Sequence, residues 1–214
     1  MRIGILAVQG AFIEHRKMLE ALGAECVELR SRSDIKALDG LVLPGGESTV
    51  QGKLLRELDM FEPLKELIEN GLPTLATCAG LILLAETISN DDNVYFATMP
   101  ITVQRNAYGR QLGSFRVDHE FKGIGEVPMT FIRAPYIESL NTFSSDYASE
   151  TNNPISYLPK MNTLKSAAPE ILAIVDDKIV AARFKNQIGL AFHPELDADT
   201  RIHKMFLELI TGNQ

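Results

Sequence analysis

Cys78 is the residue of this chain whose type and surroundings best suit nucleophilic chemistry. It lies in the segment PTLATCAG (residues 73–80), directly before the apolar run LILL (81–84). A short strand that runs into small residues and then into a helix places a thiol at a helix N-terminus, where free N–H groups and a partial positive charge favour a thiolate. The sequence therefore predicts that Cys78 is a nucleophile. Cys26 lacks these surroundings, and we expect it to be structural.

A histidine and a carboxylate follow a second apolar run, in the segment IGLAFHPE (188–195). Pro194 biases His193 towards an extended conformation, and in an extended segment residues i and i+2 project to the same side. We therefore expect Glu195 to reach the imidazole of His193, fix its tautomer and leave the other ring nitrogen for the thiol. Cys78, His193 and Glu195 together predict a nucleophilic triad.

A glycine pair follows a third apolar run, in the segment LPGGES (43–48). A flexible backbone at a strand end near the nucleophile is where an N–H group that stabilises an oxyanion is needed. Gly45 or Gly46 can supply one such N–H, and Ala79, next to Cys78, the other. No Gly-Lys-Ser/Thr follows the glycines, which argues against a phosphate-binding loop.

The remaining histidines are His15 in the first predicted helix, His119 in the segment VDHE (117–120), and His203 in the last helix. No pair of them has the spacing of zinc ligands. We therefore expect all three to lie at the surface, and we expect neither a metal nor an organic cofactor.

The elements that must position the triad alternate between strands and helices over the first 90 residues. We predict strands at 3–8, 25–29, 40–43 and 74–77, and helices at 11–22, 49–58, 61–70 and 79–88. Such alternation implies a three-layer α/β fold of the flavodoxin-like kind, with a mostly parallel central sheet flanked by helices. Farther along, we predict short strands at 101–104 and 129–132, a meander at 171–175, 179–184 and 187–192, and a closing helix at 200–210.

Bulk properties indicate one well-cored domain over residues 1–214, since the chain is 45% hydrophobic and contains no evident linker. The polar stretch at 139–166 predicts a surface excursion. The net charge of −7 argues against a nucleic-acid partner. Two cysteines suit the reducing cytoplasm, and we expect no signal peptide and no membrane span.

With these segments in order, the chain resembles the class I glutamine amidotransferases and, within them, the glutaminase subunits of pyridoxal 5'-phosphate synthases. The resemblance spans almost the whole chain. It rests on LAVQGA (6–11) with EH (14–15), LPGGEST (43–49), TCAGLI (77–82), RNAYGRQ (105–111), FIRAP (131–135) and FHPEL (192–196). The family usually has glycine at the position of Ala76, so the resemblance implies backbone strain there.

The resemblance implies that Cys78 attacks the side-chain amide of L-glutamine, forming a glutamyl thioester and releasing ammonia. His193 would carry the proton and Glu195 would orient it. Substrate contacts would fall on Gly46, Glu47, Ser48, Arg105, Ile132 and Arg133. The resemblance further implies that ammonia passes to a synthase subunit, a (β/α)8 barrel in a large multimeric complex that makes pyridoxal 5'-phosphate. The glutaminase would be nearly silent until it docks.

Two other functions stay open at this point. A glutaminase could serve a different synthase, for example in histidine or purine biosynthesis, although the segments at 105–111 and 131–135 speak against it. A binding module on the same scaffold could have lost catalysis, but such proteins often lack the cysteine or the histidine, and here all three triad residues are present. The leading hypothesis is an ammonia-supplying glutaminase.

Overall fold

The structure is a computed structural model that describes residues 1–107, 114–141 and 168–212. Within these ranges the strands are β1 Arg2–Leu6, β2 Glu25–Leu29, β3 Gly40–Leu43, β4 Thr74–Thr77, β5 Ala85–Ile88, β6 Met99–Gln104, β7 Ser114–Phe121, β8 Gly125–Ile132, β9 Tyr136–Leu140, β10 Glu170–Val175, β11 Lys178–Phe184 and β12 Gln187–Leu190. The α-helices are α1 Phe12–Ala21, α2 Ser48–Glu57, α3 Phe61–Glu69, α4 Ala79–Leu84 and α5 Arg201–Thr211, and 3₁₀ helices occupy Arg32–Asp34 and Pro194–Leu196. Of the predicted surface excursion, residues 139–141 end β9 or follow it, and the rest lies outside the described residues.

Most of the strands form one sheet in the order β2-β1-β3-β4-β12-β11-β9-β6-β5, with β10 paired to β11. In the order of the sheet, the first five strands (β2, β1, β3, β4 and β12) are mutually parallel. Antiparallel pairs then join β12 to β11, β11 to β9, and β9 to β6. β7 and β8 form a separate antiparallel hairpin. The predicted α/β fold class, a mostly parallel sheet with flanking helices, is confirmed.

The parallel half of the sheet is buried on both faces, as a sheet flanked by helices must be. Every residue of β3, β4 and β12 is buried. α4 packs against all three of these strands and also contacts α2. His15 on α1 and His203 on α5 are in contact with each other.

The carboxyl ends of β3, β4 and β12 meet at one edge of the sheet. Leu43 pairs with Ala76, and Leu190 pairs with Thr77. The segments that follow the three strands therefore emerge next to one another, at the position where open α/β sheets place their ligand sites.

Two predictions about elements are wrong. The helix predicted at 79–88 ends at Leu84, and Ala85–Ile88 is a strand that pairs in parallel with β6. The backbone becomes extended at Ala85, and the β-branched Thr87 and Ile88 suit a strand, but no glycine or proline marks the boundary. Between the predicted short strands at 101–104 and 129–132 we expected no long strand, but the structure has the eight-residue strands β7 and β8 there, and β8 includes residues 129–132.

Gly80 lies where α4 passes closest to β3. A Cβ atom at this position would lie 2.0 Å from the carbonyl oxygen of Leu43. Backbone atoms of a buried strand cannot move aside as the end of a side chain can. The turn that carries Cys78 can therefore approach β3 this closely only with glycine at residue 80.

We predict that Gly80→Ala lowers the free energy of unfolding by about 3 kcal/mol, the upper end of the usual range for overpacking. Gly189→Ala is the matched control, because there the new Cβ would meet the terminal Cδ1 of Leu81 at 2.6 Å. A side-chain end can rotate away, so this variant should lose only about 1 kcal/mol. Urea unfolding measures both, and equal losses would contradict the argument.

Candidate active site

Cys78 occupies a strained turn between β4 and α4. Its backbone has φ 48° and ψ −99°, a conformation that costs a non-glycine residue about 1–3 kcal/mol and persists only where its surroundings enforce it. Its N–H donates to the carbonyl oxygen of Leu190 at 2.8 Å, which ties the turn to β12. The strain expected at Ala76 is located at Cys78 instead, because Ala76 pairs regularly with Leu43 and Gly189 inside the sheet.

His193 and Glu195 meet this turn from the end of β12. Nδ1 of His193 lies 2.7 Å from Oε1 of Glu195, and Cys78 lies close enough to the ring to raise its pKa. The three residues of the predicted triad are thus brought together. The route differs from the expected one: Pro194–Leu196 is a 3₁₀ helix, so a tight turn rather than an extended segment brings the carboxylate to the imidazole.

The electrostatics of this cluster favour a charged His193. Burial, the largest influence, works against the imidazolium, but the hydrogen bonds to Cys78 and Glu195 and the negative charges of these groups outweigh it and raise the pKa of His193 to about 10. Burial likewise opposes the ionised form of Glu195, but the neighbouring His15 and the hydrogen bond from His193 lower its pKa. A cysteine, a histidine and a carboxylate in this order can perform nucleophilic attack and proton transfer.

Gly45 lies directly against His193. A Cβ on Gly45 would lie 2.2 Å from Cε1 of the imidazole, so only glycine permits this contact. The Gly45 N–H donates to Oγ1 of Thr77 at 2.9 Å, and its carbonyl oxygen accepts from the N–H of Ala11 at 3.1 Å. In this conformation Gly45 is therefore not available as an oxyanion donor, which corrects the prediction and leaves Gly46 and Ala79.

A small cavity adjoins Cys78. It has a volume of about 30 Å³ and is lined by Gly46, Glu47, Ser48, Cys78, Ile82, Arg105, Asn106, Arg133 and Pro135. All the predicted substrate contacts except Ile132 line it. Oγ of Ser48 is buried and has no hydrogen-bond partner among the described residues. An unpartnered buried hydroxyl is unfavourable, and a bound ligand would supply the missing partner.

The two arginines of the cavity differ in their partners. The guanidinium of Arg105 forms ion pairs with Asp91 and Glu47, the latter at 3.0 Å. Arg133 is exposed, has a left-handed φ of 44°, and has no hydrogen bond or ion pair within the described part of the chain. Arg133 therefore presents a cation that can accept an anionic ligand without first breaking an ion pair.

The structure contradicts the surface positions predicted for His15 and His203, which are both fully buried. Helical spacing could have revealed them. His15 lies four residues before Leu19, and these two are the buried residues of α1. His203 lies three residues before Phe206 on the buried face of α5. The third histidine, His119, is half-buried on β7.

The described ranges contain no group of three or more His, Cys, Asp or Glu side chains that could hold a metal ion. Within the same ranges, every helix is too short or too polar to cross a membrane.

We predict that the imidazole of His193 titrates near pH 10 and that Glu195→Gln lowers this midpoint by about one unit or more, because an opposite charge in contact is removed. Cys78→Ala should also lower the titration midpoint of His193. NMR titration of ¹⁵N-labelled histidine measures the midpoint, with His119→Asn as a control for assignment. A wild-type midpoint near the ordinary value of about 6.5 would contradict the charge arrangement described here.

Comparison with known proteins gives one family and a consistent set of relatives. The SNO glutamine amidotransferase family matches residues 5–211. The protein named "Pyridoxal 5'-phosphate synthase subunit PdxT" from Desulfitobacterium hafniense (strain DSM 10664 / DCB-2) is 58% identical over 100% of this chain and 96% of its own length. A protein of the same name from Haemophilus influenzae (strain PittEE) is 49% identical over 98% of each chain.

Solved structures agree. The chain is similar to one described as "Crystal structure of glutamine amidotransferase", with a TM-score of 0.82, 35% identity and 98% of each chain covered. A putative GMP synthase subunit from Thermoplasma acidophilum, at 18% identity and a TM-score of 0.58 over 99% of this chain and 94% of its own, shares the fold. The family predicted from the sequence motifs is thereby confirmed: the chain belongs to the SNO glutamine amidotransferases.

Proposed function

We propose that this chain is the glutaminase subunit of a pyridoxal 5'-phosphate synthase, which hydrolyses L-glutamine to L-glutamate and ammonia. The observation that carries the proposal is the contact of Cys78, His193 and Glu195 at the carboxyl edge of the sheet, in a chain of a glutamine amidotransferase family. Residues 1–214 would act as a single glutaminase domain.

The chemistry follows from this contact. Sγ of Cys78 attacks the amide carbon of glutamine, and His193 donates its proton to the departing nitrogen, which leaves as ammonia. The product is a glutamyl thioester. His193 then takes a proton from water, the hydroxide attacks the thioester carbon, and the C–S bond breaks to release glutamate. Glu195 keeps the imidazole in the required orientation and balances its positive charge.

Each tetrahedral intermediate places negative charge on the former carbonyl oxygen, which needs N–H donors. Ala79 begins α4, where N–H groups have no partner inside the helix. Gly46 would supply the second donor from the opposite side. The N–H of Gly45 can join them only after it leaves Thr77.

The cavity beside Cys78 is small, with a volume of about 30 Å³, well below the roughly 300–1,000 Å³ of typical ligand pockets. We expect the segment around Gly46 and Glu47 to move when glutamine enters. This supports the expectation that the glutaminase is nearly silent until a partner binds.

The partner we propose is a synthase subunit with a (β/α)8 barrel, in a large multimeric complex. The relatives that are 58% and 49% identical are named as subunits of pyridoxal 5'-phosphate synthase, which supports a partner of this kind. The structure associated with a different synthase is only 18% identical, so a glutaminase of purine or histidine biosynthesis is less well supported. Two free cysteines, Cys26 and Cys78, suit the cytoplasmic location that the sequence predicts.

We predict that ammonia release from L-glutamine is low for the chain alone and rises at least about tenfold when the matching synthase subunit is added. Cys78→Ala should abolish it in both conditions, since loss of a nucleophile removes several orders of magnitude of rate. Circular dichroism shows whether the variant is folded. Equal activity with and without the synthase would refute the partner, and silence in both would refute the glutaminase.

We predict that Arg133→Met raises KM for glutamine about 10- to 100-fold with a small change in kcat, because a charge-assisted hydrogen bond to the substrate carboxylate contributes about 1.5–3 kcal/mol to binding. Arg32→Met is the control, since Arg32 is exposed and does not line the cavity. Steady-state kinetics in the complex measure both constants. An unchanged KM would assign the carboxylate to Arg105 instead.

A further inference from the structure

Two buried histidines that the chemistry above does not use stand directly behind the triad. His15 and His203 are both fully buried, and Nδ1 of His15 lies 2.9 Å from Nε2 of His203. On the other side of the ring, Nε2 of His15 lies 3.1 Å from Oγ1 of Thr77 and 3.3 Å from Oε2 of Glu195. Oε1 of Glu195 is thus bonded to His193, whereas Oε2 lies beside Nε2 of His15 and has no hydrogen-bond partner among the described residues.

The contacts determine which nitrogen of each ring carries the proton. An ionised carboxylate only accepts hydrogen bonds, so a ring nitrogen 3.3 Å from Oε2 of Glu195 is favourable only as N–H. Burial lowers the pKa of His15, which leaves the ring neutral with a single proton. That proton is on Nε2. Nδ1 must then accept, and Nε2 of His203 must donate to it.

The surroundings of Nδ1 of His203, on the side of that ring away from His15, fit this assignment. With its proton on Nε2, a neutral His203 has an unprotonated Nδ1, and that atom is buried without a hydrogen-bond partner among the described residues. Burial and the neighbouring His15 lower the pKa of His203 to about 3, so the ring does not take a second proton. An unpartnered acceptor is less costly to bury than an unpartnered charged N–H.

The same histidine also reaches the oxyanion segment. Oγ1 of Thr77 has two lone pairs; one accepts the N–H of Gly45 at 2.9 Å and the other the N–H of His15 at 3.1 Å. Gly45 in turn lies against the ring of His193. His15 therefore contacts both the carboxylate of the triad and the residue that holds the Gly45 N–H.

From these contacts we propose that His15, held in its Nε2–H tautomer by His203, is a positioning residue that fixes Glu195 and Thr77 at the same time. It orients the carboxylate that orients His193, and it supports the hydroxyl that anchors Gly45. It touches neither substrate nor reacting atoms. The inference deepens the proposed glutaminase function and rests on it for its effect on rate, but the tautomer itself is a property of the resting protein.

The titratable groups that act on His15 are Glu195, His193 and Glu14, together with His203 on α5. Glu195 is the only one of them whose buried negative charge faces the Nε2 atom. Loss of the His15 N–H removes a favourable electrostatic contact with the charged form of Glu195, and such a loss raises the pKa of a carboxyl group. The acid limb of kcat/KM should therefore move to higher pH.

The first test uses the wild-type protein and needs no activity. Long-range ¹H–¹⁵N spectra of ¹⁵N-histidine-labelled chain distinguish a protonated from an unprotonated ring nitrogen. Between pH 6 and 8 we expect His15 and His203 both neutral and both protonated on Nε2. Protonation of His15 on Nδ1, or a doubly protonated ring, would overturn the proposal whether or not the protein is a glutaminase.

The second test compares His15→Leu with His15→Gln in the complex with the synthase subunit. Gln can place an amide N–H near the position of Nε2, whereas Leu fills the space without a donor. A misplacement of about 1 Å at a catalytic group can reduce rate about 100-fold, so we expect His15→Leu to lose about 10- to 100-fold in kcat with an unchanged KM. His15→Gln should stay within about threefold, a residual loss well below that effect. The acid limb should shift upward by about one pH unit in the Leu variant alone.

Rates are divided by the fraction of Cys78 that a glutamine-like electrophile labels, so a partly unfolded variant does not imitate the effect. His119→Leu on β7 is the control histidine. If His15→Leu does not fold, His203→Leu leaves His15 free to change tautomer and should lower kcat in the same direction. If His15→Leu keeps the native rate per labelled site and its acid limb does not shift, His15 only packs the core and the positioning role is refuted. A wild type that is silent with its partner would refute the glutaminase without touching the tautomer result.

Discussion

The side chain of Glu195 is fully buried, and a buried carboxylate costs several kcal/mol unless its surroundings compensate for the lost water. Oε1 is hydrogen-bonded with Nδ1 of His193 at 2.7 Å, and Oε2 lies 3.3 Å from Nε2 of His15, close enough for an electrostatic contact. These histidines come from the end of β12 and from α1, at opposite ends of the sequence. The buried charge therefore joins the first helix to the last strand of the parallel sheet, and together with Cys78 it raises the pKa of His193.

The side chains of the site can meet because the backbone approaches unusually closely around them. The position of Gly80 against the carbonyl of Leu43 brings the turn of Cys78 onto β3, and the absence of a side chain at Gly45 admits the ring of His193. The left-handed backbone of Cys78 stores strain that the neighbouring strands enforce. Such contacts involve main-chain atoms, so even the addition of a methyl group displaces the reacting atoms themselves.

The sequence predicts well those parts of the structure that depend on local pattern. Short apolar runs bounded by glycine located β2, β3 and β4 to the residue, and a thiol between a strand and a helix located the turn at Cys78. The pairing of His193 with Glu195 was also predicted, although the 3₁₀ turn that achieves it was not. Proline fixes only its own φ and biases its neighbour, so the local pattern leaves more than one path between the two residues.

Residues whose environment is created by distant segments escaped prediction. The spacing of His15 from Leu19 indicates the buried face of α1, but the partners of His15 lie on α5 and on the segment that carries Glu195, both about 180 residues away in the chain. The engagement of the Gly45 N–H by Thr77 is similar, because it depends on the register between β3 and β4. The change from helix to strand at Ala85 depends on pairing with β6, and tertiary pairing commonly overrides local propensity.

The segment 44–48 contains both Gly45, whose N–H is bonded to Thr77, and three of the residues that line the cavity. Gln9 accepts the N–H of Glu47 at 2.8 Å, and Gln51 donates to the carbonyl oxygens of Gln9 and Pro44. Glu47 is in turn paired with Arg105 across the cavity. A displacement of this segment that widens the cavity must break some of these bonds together, and it also moves Gly45 relative to Thr77 and His193. We therefore expect opening of the substrate site to be coupled to release of the Gly45 N–H, because the same five residues carry both.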